Sequence, residues 1–224
     1  FCAAFFKKYQ ALVMIGLYIT GIVLGIIIAL ILKNTAFRGK PVPFVMELPN
    51  YRLPSAKSVG LLLWDKAKDF IQRAFTVIFF ATIIIWFLET FDAKLNVVKD
   101  SSDSLLALIG QAISPIFKPL GFADWRVTTS LISGFTAKEA VVSTMAVLMN
   151  TSTANLGTAL SGAFSTLSAL SFLVFTLLYT PCVAAVATIK RELDSRIQTV
   201  GVVIMQCMVA WLCGCAVYQI GALL

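Results

Sequence analysis

The 224-residue sequence contains no histidine. That absence removes the Ser-His-Asp triad, a His-ligated haem and the two-His-one-carboxylate iron site together. Any metal must be met by Cys, Met, Asp, Glu or backbone carbonyls. Charge is scarce as well: 13% of residues are charged and 59% hydrophobic, with a mean hydropathy of +0.90. These values exclude an ordinary soluble domain and predict an integral membrane protein. The net charge of +7 would suit nucleic acid, but the basic residues cluster between apolar spans, as the positive-inside rule expects of cytoplasmic loops. No nucleic-acid partner is expected. No G-x-x-x-x-G-K-[ST] loop occurs, so no nucleotide site can be placed on these residues. The five cysteines, Cys2, Cys182, Cys207, Cys213 and Cys215, lie mostly in apolar segments and do not form a secreted disulfide framework. The opening Phe1-Cys2-Ala3-Ala4-Phe5-Phe6 lacks signal-peptide anatomy and reads as the inside of something longer. The chain is taken as a C-terminal portion.

What is present is a series of long apolar runs. Residues 1–33 hold the first transmembrane helix, uncharged over 11–32 and containing the GxxxG pair Gly21 and Gly25. Residues 34–73 follow as a cytoplasmic loop, broken by Pro and Gly, and an interfacial amphipathic helix. Eight of the eighteen basic residues fall between Lys33 and Arg73, which puts this connection inside the cell. A second span is expected over 74–91, bounded by charges. Residues 92–104 form an external loop. Residues 105–189 hold short apolar pieces separated by Pro and Gly, the pattern of re-entrant or discontinuous helices. A basic turn at 190–196 leads to a last span over 197–224. The expected fold is all-α, a polytopic transmembrane bundle with broken helices.

Two breaks carry chemistry. From Ala140 to Ile189 there is no Lys, Arg, Asp or Glu. Inside that stretch sits Tyr179-Thr180-Pro181-Cys182-Val183-Ala184-Ala185. Pro181 has no N–H, so the carbonyl of Leu177 loses its usual donor. Thr180 can cap a new half-helix, Pro181 suits its first position and Cys182 its first turn. A cysteine at a helix N-terminus favours the thiolate, a soft metal ligand. A kinked helix with an inert buried cysteine fits the same pattern. The other break is Gly134-Phe135-Thr136-Ala137-Lys138-Glu139. Lys138 and Glu139 are ionisable groups at membrane depth, which are site candidates. Equally, Thr136 and Glu139 fit the T-x-x-E capping box. Met46 and Glu47 are a third candidate, a thioether beside a carboxylate that could receive an ion on the cytoplasmic side. A solvated loop glutamate fits Glu47 as well.

Together these segments resemble the C-terminal membrane portion of the ferrous iron transport protein B family. The resemblance is carried by residues 43–54 around Met46 and Glu47, by residues 134–145 from Gly134 to Met145, and by residues 179–185 around Cys182. Three long matches in order are far more specific than a short motif. The resemblance implies a Gate fold related to nucleoside transporters, with 105–189 as the second Gate region. It implies a bacterial inner (plasma) membrane location and Fe2+ as the transported substrate. Cys182 and Glu139 would be metal ligands, with Leu177, Thr180, Pro181, Gly134, Thr136 and Lys138 at the breaks that line the path. Partners would be the lipid bilayer, an upstream G-protein domain and first Gate of the same polypeptide, a small cytoplasmic protein and further copies of the chain. GTP and Mg2+ would act only through the upstream domain, so the chain itself is not expected to be an enzyme. The alternative is a permease for a nucleoside or similar solute, which would draw on Gln111, Gln206 and Gln219. A cysteine-nucleophile enzyme lacks a histidine base, and only Lys138 could serve as one.

Overall fold

The computed structural model of the chain describes residues 2–35, 55–98, 100–153, 155–179 and 182–223. Met46, Glu47, Thr180 and Pro181 lie outside the described residues. Apart from an isolated antiparallel bridge between Phe91 and Val97, the ordered elements among the described residues are helical. The short α1 (Cys2–Phe5) precedes α2 (Gln10–Asn34), then α3 (Ala56–Thr90), α4 (Leu105–Ile113), α5 (Trp125–Ser133), α6 (Ala140–Leu148), α7 (Leu156–Ala163), α8 (Thr166–Leu178), α9 (Val183–Leu193) and α10 (Arg196–Leu223). Helices α2 and α10 are each long and apolar enough to cross a bilayer. Two bent pairs raise the number of candidate spans to four: residues 105–120 with α5, bent by 106°, and residues 156–162 with α8, bent by 118°. The chain is a multi-pass membrane protein built as an all-α bundle with broken helices.

Helix α2 is apolar on every face, and no residue of it is buried. That is the pattern of a helix whose solvent is lipid. The close helix contact that a GxxxG pair permits is not made among the described residues. A Cβ placed at Gly21 would meet Leu177 of α8 at ordinary van der Waals distance, and among the described residues nothing beyond the helix's own backbone lies within 4 Å of one placed at Gly25.

The expected boundary between an interfacial helix and a span at Arg73 is absent. Ser55 caps α3 by accepting from the Ser58 N–H at 3.2 Å, and the helix runs 35 residues to Thr90. Its length is about 52 Å at 1.5 Å per residue, against a hydrocarbon core of about 30 Å. Charged residues outside the bilayer do not end a helix, and neither Pro nor Gly interrupts it after Gly60. The apolar part is 75–90, so the amphipathic first half extends the span beyond the membrane core.

After Thr90 the chain turns through an Asx motif. The Asp92 carboxylate accepts from the N–H groups of Lys94 at 2.7 Å and Asn96 at 2.9 Å. Ser104 then caps α4 through the Ala107 N–H. A 3-10 helix at Ser114–Leu120, with Pro115 and Pro119, ends at Gly121 in the left-handed region, φ +82°. A side chain there would also run into the Tyr218 ring. The prolines and the tight helix leave carbonyls without intrahelical donors. Helix α10 supplies the donors: Trp211 Nε1 reaches Ile116 O and Gln219 Nε2 reaches Pro119 O, each at 3.0 Å.

The core forms where α8 packs along α10 and against this 3-10 turn. Phe117, Phe122, Phe172, Phe175 and Tyr179 stack or meet edge to face with centroids 5.2–5.4 Å apart. Gly214 lets α10 approach the 3-10 turn, where a Cβ would come 2.8 Å from Leu120 Cδ2 but only into ordinary contact, 3.5 Å, with Phe175 of α8. Ser171 of α8 donates to the Gly214 carbonyl at 2.8 Å, a small polar side chain bonding across the helix pair.

Candidate functional site

The two sequence breaks are separate from the two sharp bends, and they face each other. The first lies between α5 and α6. Asp124 caps α5 through the Arg126 N–H at 2.8 Å. The helix ends at Ser133, and the chain tightens through bonds from Phe135 N to Ile132 O and from Thr136 N to Ser133 O, both 3.1 Å. Thr136 Oγ1 turns back to Ser133 O at 2.6 Å. The capping box therefore does not form. Glu139 is the N-cap of α6 with helical φ −63° and ψ −29°, and no side chain caps that helix. The physical reason is local competition: the tight turn after Ser133 uses the Thr136 hydroxyl before α6 begins.

The second break follows α8. Tyr179 and Cys182 are both extended, at φ −67°, ψ 170° and φ −60°, ψ 161°. Helix α9 starts at Val183 with Cys182 as its N-cap, and the Cys182 carbonyl accepts from Ala185 N and Val186 N at 2.9 and 3.1 Å. Cys182 thus precedes the first turn instead of lying in it. Its free thiol is half-buried and lines a crevice of about 660 Å³ with Leu32, Thr188, Glu192 and Val202 among its other walls.

Four contacts join the breaks. Val183 N donates to the Phe135 carbonyl at 2.9 Å. The Lys138 ammonium reaches the carbonyls of Thr176 at 3.4 Å and Tyr179 at 3.3 Å. It also lies 4.9 Å from the Tyr179 ring centroid. These carbonyls belong to the C-terminal end of α8, the negative end of its dipole, where a cation is favoured. Tyr179 Oη is buried against Gly134 and has no hydrogen-bond partner among the described residues. Gly134, Thr136 and Lys138 are thereby brought together with Tyr179 and Cys182. Leu177 lies between the two carbonyls that Lys138 reaches; its side chain is 41% exposed and points toward Gly21 of α2. Glu139 is exposed at the start of α6. Among the described residues no group of three or more Cys, Asp or Glu side chains could hold a metal ion.

Glu89, one of the charges that bound the second span, stands in the last turn of α3. In the structure its carboxylate accepts from Ser133 Oγ at 3.2 Å, so α3 holds the last residue of α5 at the edge of the first break. A signal was available. A carboxylate in the last turn of a helix opposes the dipole and has to find a donor elsewhere. The three glutamines do not converge. Gln219 is used on Pro119, Gln206 lines a crevice between α2, α8 and α10, and Gln111 shares a groove with Ser114, Asp124 and Arg126.

Two long apolar helices and two bent helix pairs define a polytopic membrane protein. The family described as "Gate: Nucleoside recognition" matches residues 71–196, more than half of the chain, and the chain belongs to it. Residues 14–66 match the family described as "Ferrous iron transport protein B C terminus", so within the Gate class the chain corresponds to that protein's C-terminal portion. A Staphylococcus aureus (strain MSSA476) relative named "Fe(2+) transporter FeoB" is 35% identical over 223 residues, covering 100% of this chain and 33% of the relative. One from Methanocaldococcus jannaschii with the same name is 35% identical over 200 residues, 86% of this chain and 30% of the relative. A Porphyromonas gingivalis relative, named as a fusion of "Fe(2+) transport protein A" with this transporter, is 32% identical over 268 residues, 98% of this chain and 32% of the relative. The chain spans about a third of the length of these relatives. No solved structure matches it.

Proposed function

We propose that this chain forms the membrane-embedded part of a ferrous ion transporter, with the ion passing the paired helix breaks at Cys182. The observation that carries this reading is the bond from Val183 N to the Phe135 carbonyl, which seats one break on the other directly beside Cys182. Broken helices are tolerated at membrane depth where they face protein or a polar path. The Cys182 thiol offers one soft ligand, and carbonyls at the break offer hard oxygens. One sulfur with oxygens binds Fe2+ loosely enough for it to leave, whereas a cage of four thiolates would hold it. Glu139, exposed at the start of α6, is the carboxylate proposed to take the ion next.

The connection that includes Met46 and Glu47 faces the cytoplasm in this reading, as does the basic turn at 190–196, and the loop at 92–104 is external. Met46 and Glu47 receive the ion on the inner side. GTP and Mg2+ act through an upstream domain, so the chain serves as a transport module and not as an enzyme. In this reading a small cytoplasmic protein is a partner; the relative named as a fusion of "Fe(2+) transport protein A" with the transporter motivates looking for one. A nucleoside permease would need its amides gathered at one place, and the three glutamines stand apart. The test is Cys182→Ser in the full-length protein, with Fe2+ uptake measured at matched expression. Uptake should collapse; undiminished uptake removes Cys182 from the path.

A further inference from the structure

The carbonyls at the end of α8 are already occupied by a cation, and that cation belongs to the chain. The Lys138 ammonium sits on the oxygens of Thr176 and Tyr179 at 3.4 and 3.3 Å, with the face of the Tyr179 ring 4.9 Å away at its centroid. Two carbonyl oxygens, a helix C-terminus and an aromatic face are the elements of a cation seat. Lys138 is only half-buried, so its flexible stem has room to carry the ammonium outward. Cys182 is the N-cap of α9, whose first residue, Val183, donates to the Phe135 carbonyl three residues before Lys138.

A dehydrating Fe2+ that approaches the Cys182 thiol needs oxygens to replace its water. The Thr176 and Tyr179 carbonyls are the ones that the break presents toward Lys138. Two cations cannot share those two oxygens, because like charges at contact distance in a low-dielectric site repel strongly. We infer that Lys138 is a tethered counter-cation that fills the ion seat at the helix break when the path is empty and swings out when the transported divalent cation arrives. This rests on the proposed path through Cys182. Lys138 is a positioning residue in this scheme: it touches the oxygens that the ion will use and sets how strongly the ion must compete for them.

The experiment uses the full-length protein in native membranes. With the wild type, Lys138 is labelled by an amine-reactive reagent at increasing Fe2+ under reducing, oxygen-free conditions, and labelling at that residue is read by mass spectrometry. Labelling should rise several-fold as Fe2+ saturates uptake. Labelling that stays flat while Fe2+ is transported overturns the inference, and needs no variant to fold. In parallel, Lys138→Met removes the competitor and should lower the KM for Fe2+ by about tenfold, the size expected when a cation favoured at a helix C-terminus no longer has to be displaced. Lys138→Arg, which keeps a cation on the seat, should return KM toward the wild-type value. A purely structural cap would instead lower the maximal rate or the amount of folded protein without lowering KM, and that result also overturns the inference. Cys182→Ser separates the two ideas. If its uptake is undiminished, the path reading fails. If its uptake is lost while wild-type Lys138 labelling stays flat, only the displacement fails.

Discussion

Alanine at position 134 would place a methyl group in the contact that locks the two breaks together. A Cβ built there runs into Val141 Cγ2, lies 2.6 Å from Tyr179 Oη and 3.3 Å from the Leu131 carbonyl. Carbon contacts are comfortable near 3.5–4.0 Å. Neither neighbour can easily retreat. Val141 is β-branched and 5% exposed, and Tyr179 is 6% exposed with its ring stacked on Phe175 at 5.4 Å. Gly134 itself has φ −62° and ψ −15°, a conformation any residue adopts, so the effect is wholly steric. Overpacking of this kind costs about 1–3 kcal/mol, offset by the reduced backbone entropy of about 0.4–1 kcal/mol that alanine brings to such a position. The net loss is about 1–2 kcal/mol, a fall in melting temperature of about 2–8 °C if these 224 residues unfold as one unit and less if a longer unit melts with them. Thermal unfolding of the detergent-purified full-length protein measures it. Gly201→Ala is the control. Among the described residues nothing beyond its own helix backbone lies within 4 Å of a Cβ there and it sits inside α10, so it should be neutral or stabilising by up to about 1 kcal/mol. Tyr179→Phe in the Gly134→Ala background should recover part of the loss, since it deletes an oxygen in the clash that has no bond to give up. Gly134→Ala melting at or above the wild type, with Gly201→Ala behaving as expected, would show that the breaks do not pack as described.

Ser171→Ala removes the bond to the Gly214 carbonyl across α8 and α10 and should lower stability by about 0.6–2 kcal/mol, read as a matching fall in melting temperature. No change would mean that the helix pair is held by packing alone. The loop after α3 makes a pH prediction. The Asn96 N–H holds the Asp92 carboxyl below the ordinary aspartate value, with help from the Lys94 N–H. A carboxylate with a depressed pKa contributes stability that is present above the unfolded value and lost as pH falls through the folded one. Amide exchange at Lys94 and Asn96, corrected for intrinsic rates, should therefore keep its protection at about pH 4, where free aspartates titrate, and lose it only below. Protection lost at the ordinary aspartate value would sink the argument.

The linear order of residues was enough to establish a membrane protein, all helical, with breaks at Gly134 and around Cys182. Those features follow from local physics. Uncharged runs partition into lipid, and Pro and Gly interrupt the helical hydrogen-bond ladder wherever they stand. The positions of the backbone's unmet demands were legible for the same reason. The groups that answer those demands were not. Lys138 reads as an ionisable group at membrane depth on the ion path, yet it serves the end of α8, 38 and 41 positions along the chain. Glu89 read as the border of a span, yet it holds Ser133, 44 positions away. Thr136 and Glu139 matched a capping box by spacing, but the tight turn used the hydroxyl first. Arg73 looked like a helix boundary because charge marks the membrane edge, while the helix itself ignores that edge. A freed carbonyl or a misplaced carboxylate announces itself in sequence, but its partner is chosen by which helices pack together, and only the tertiary structure decides that.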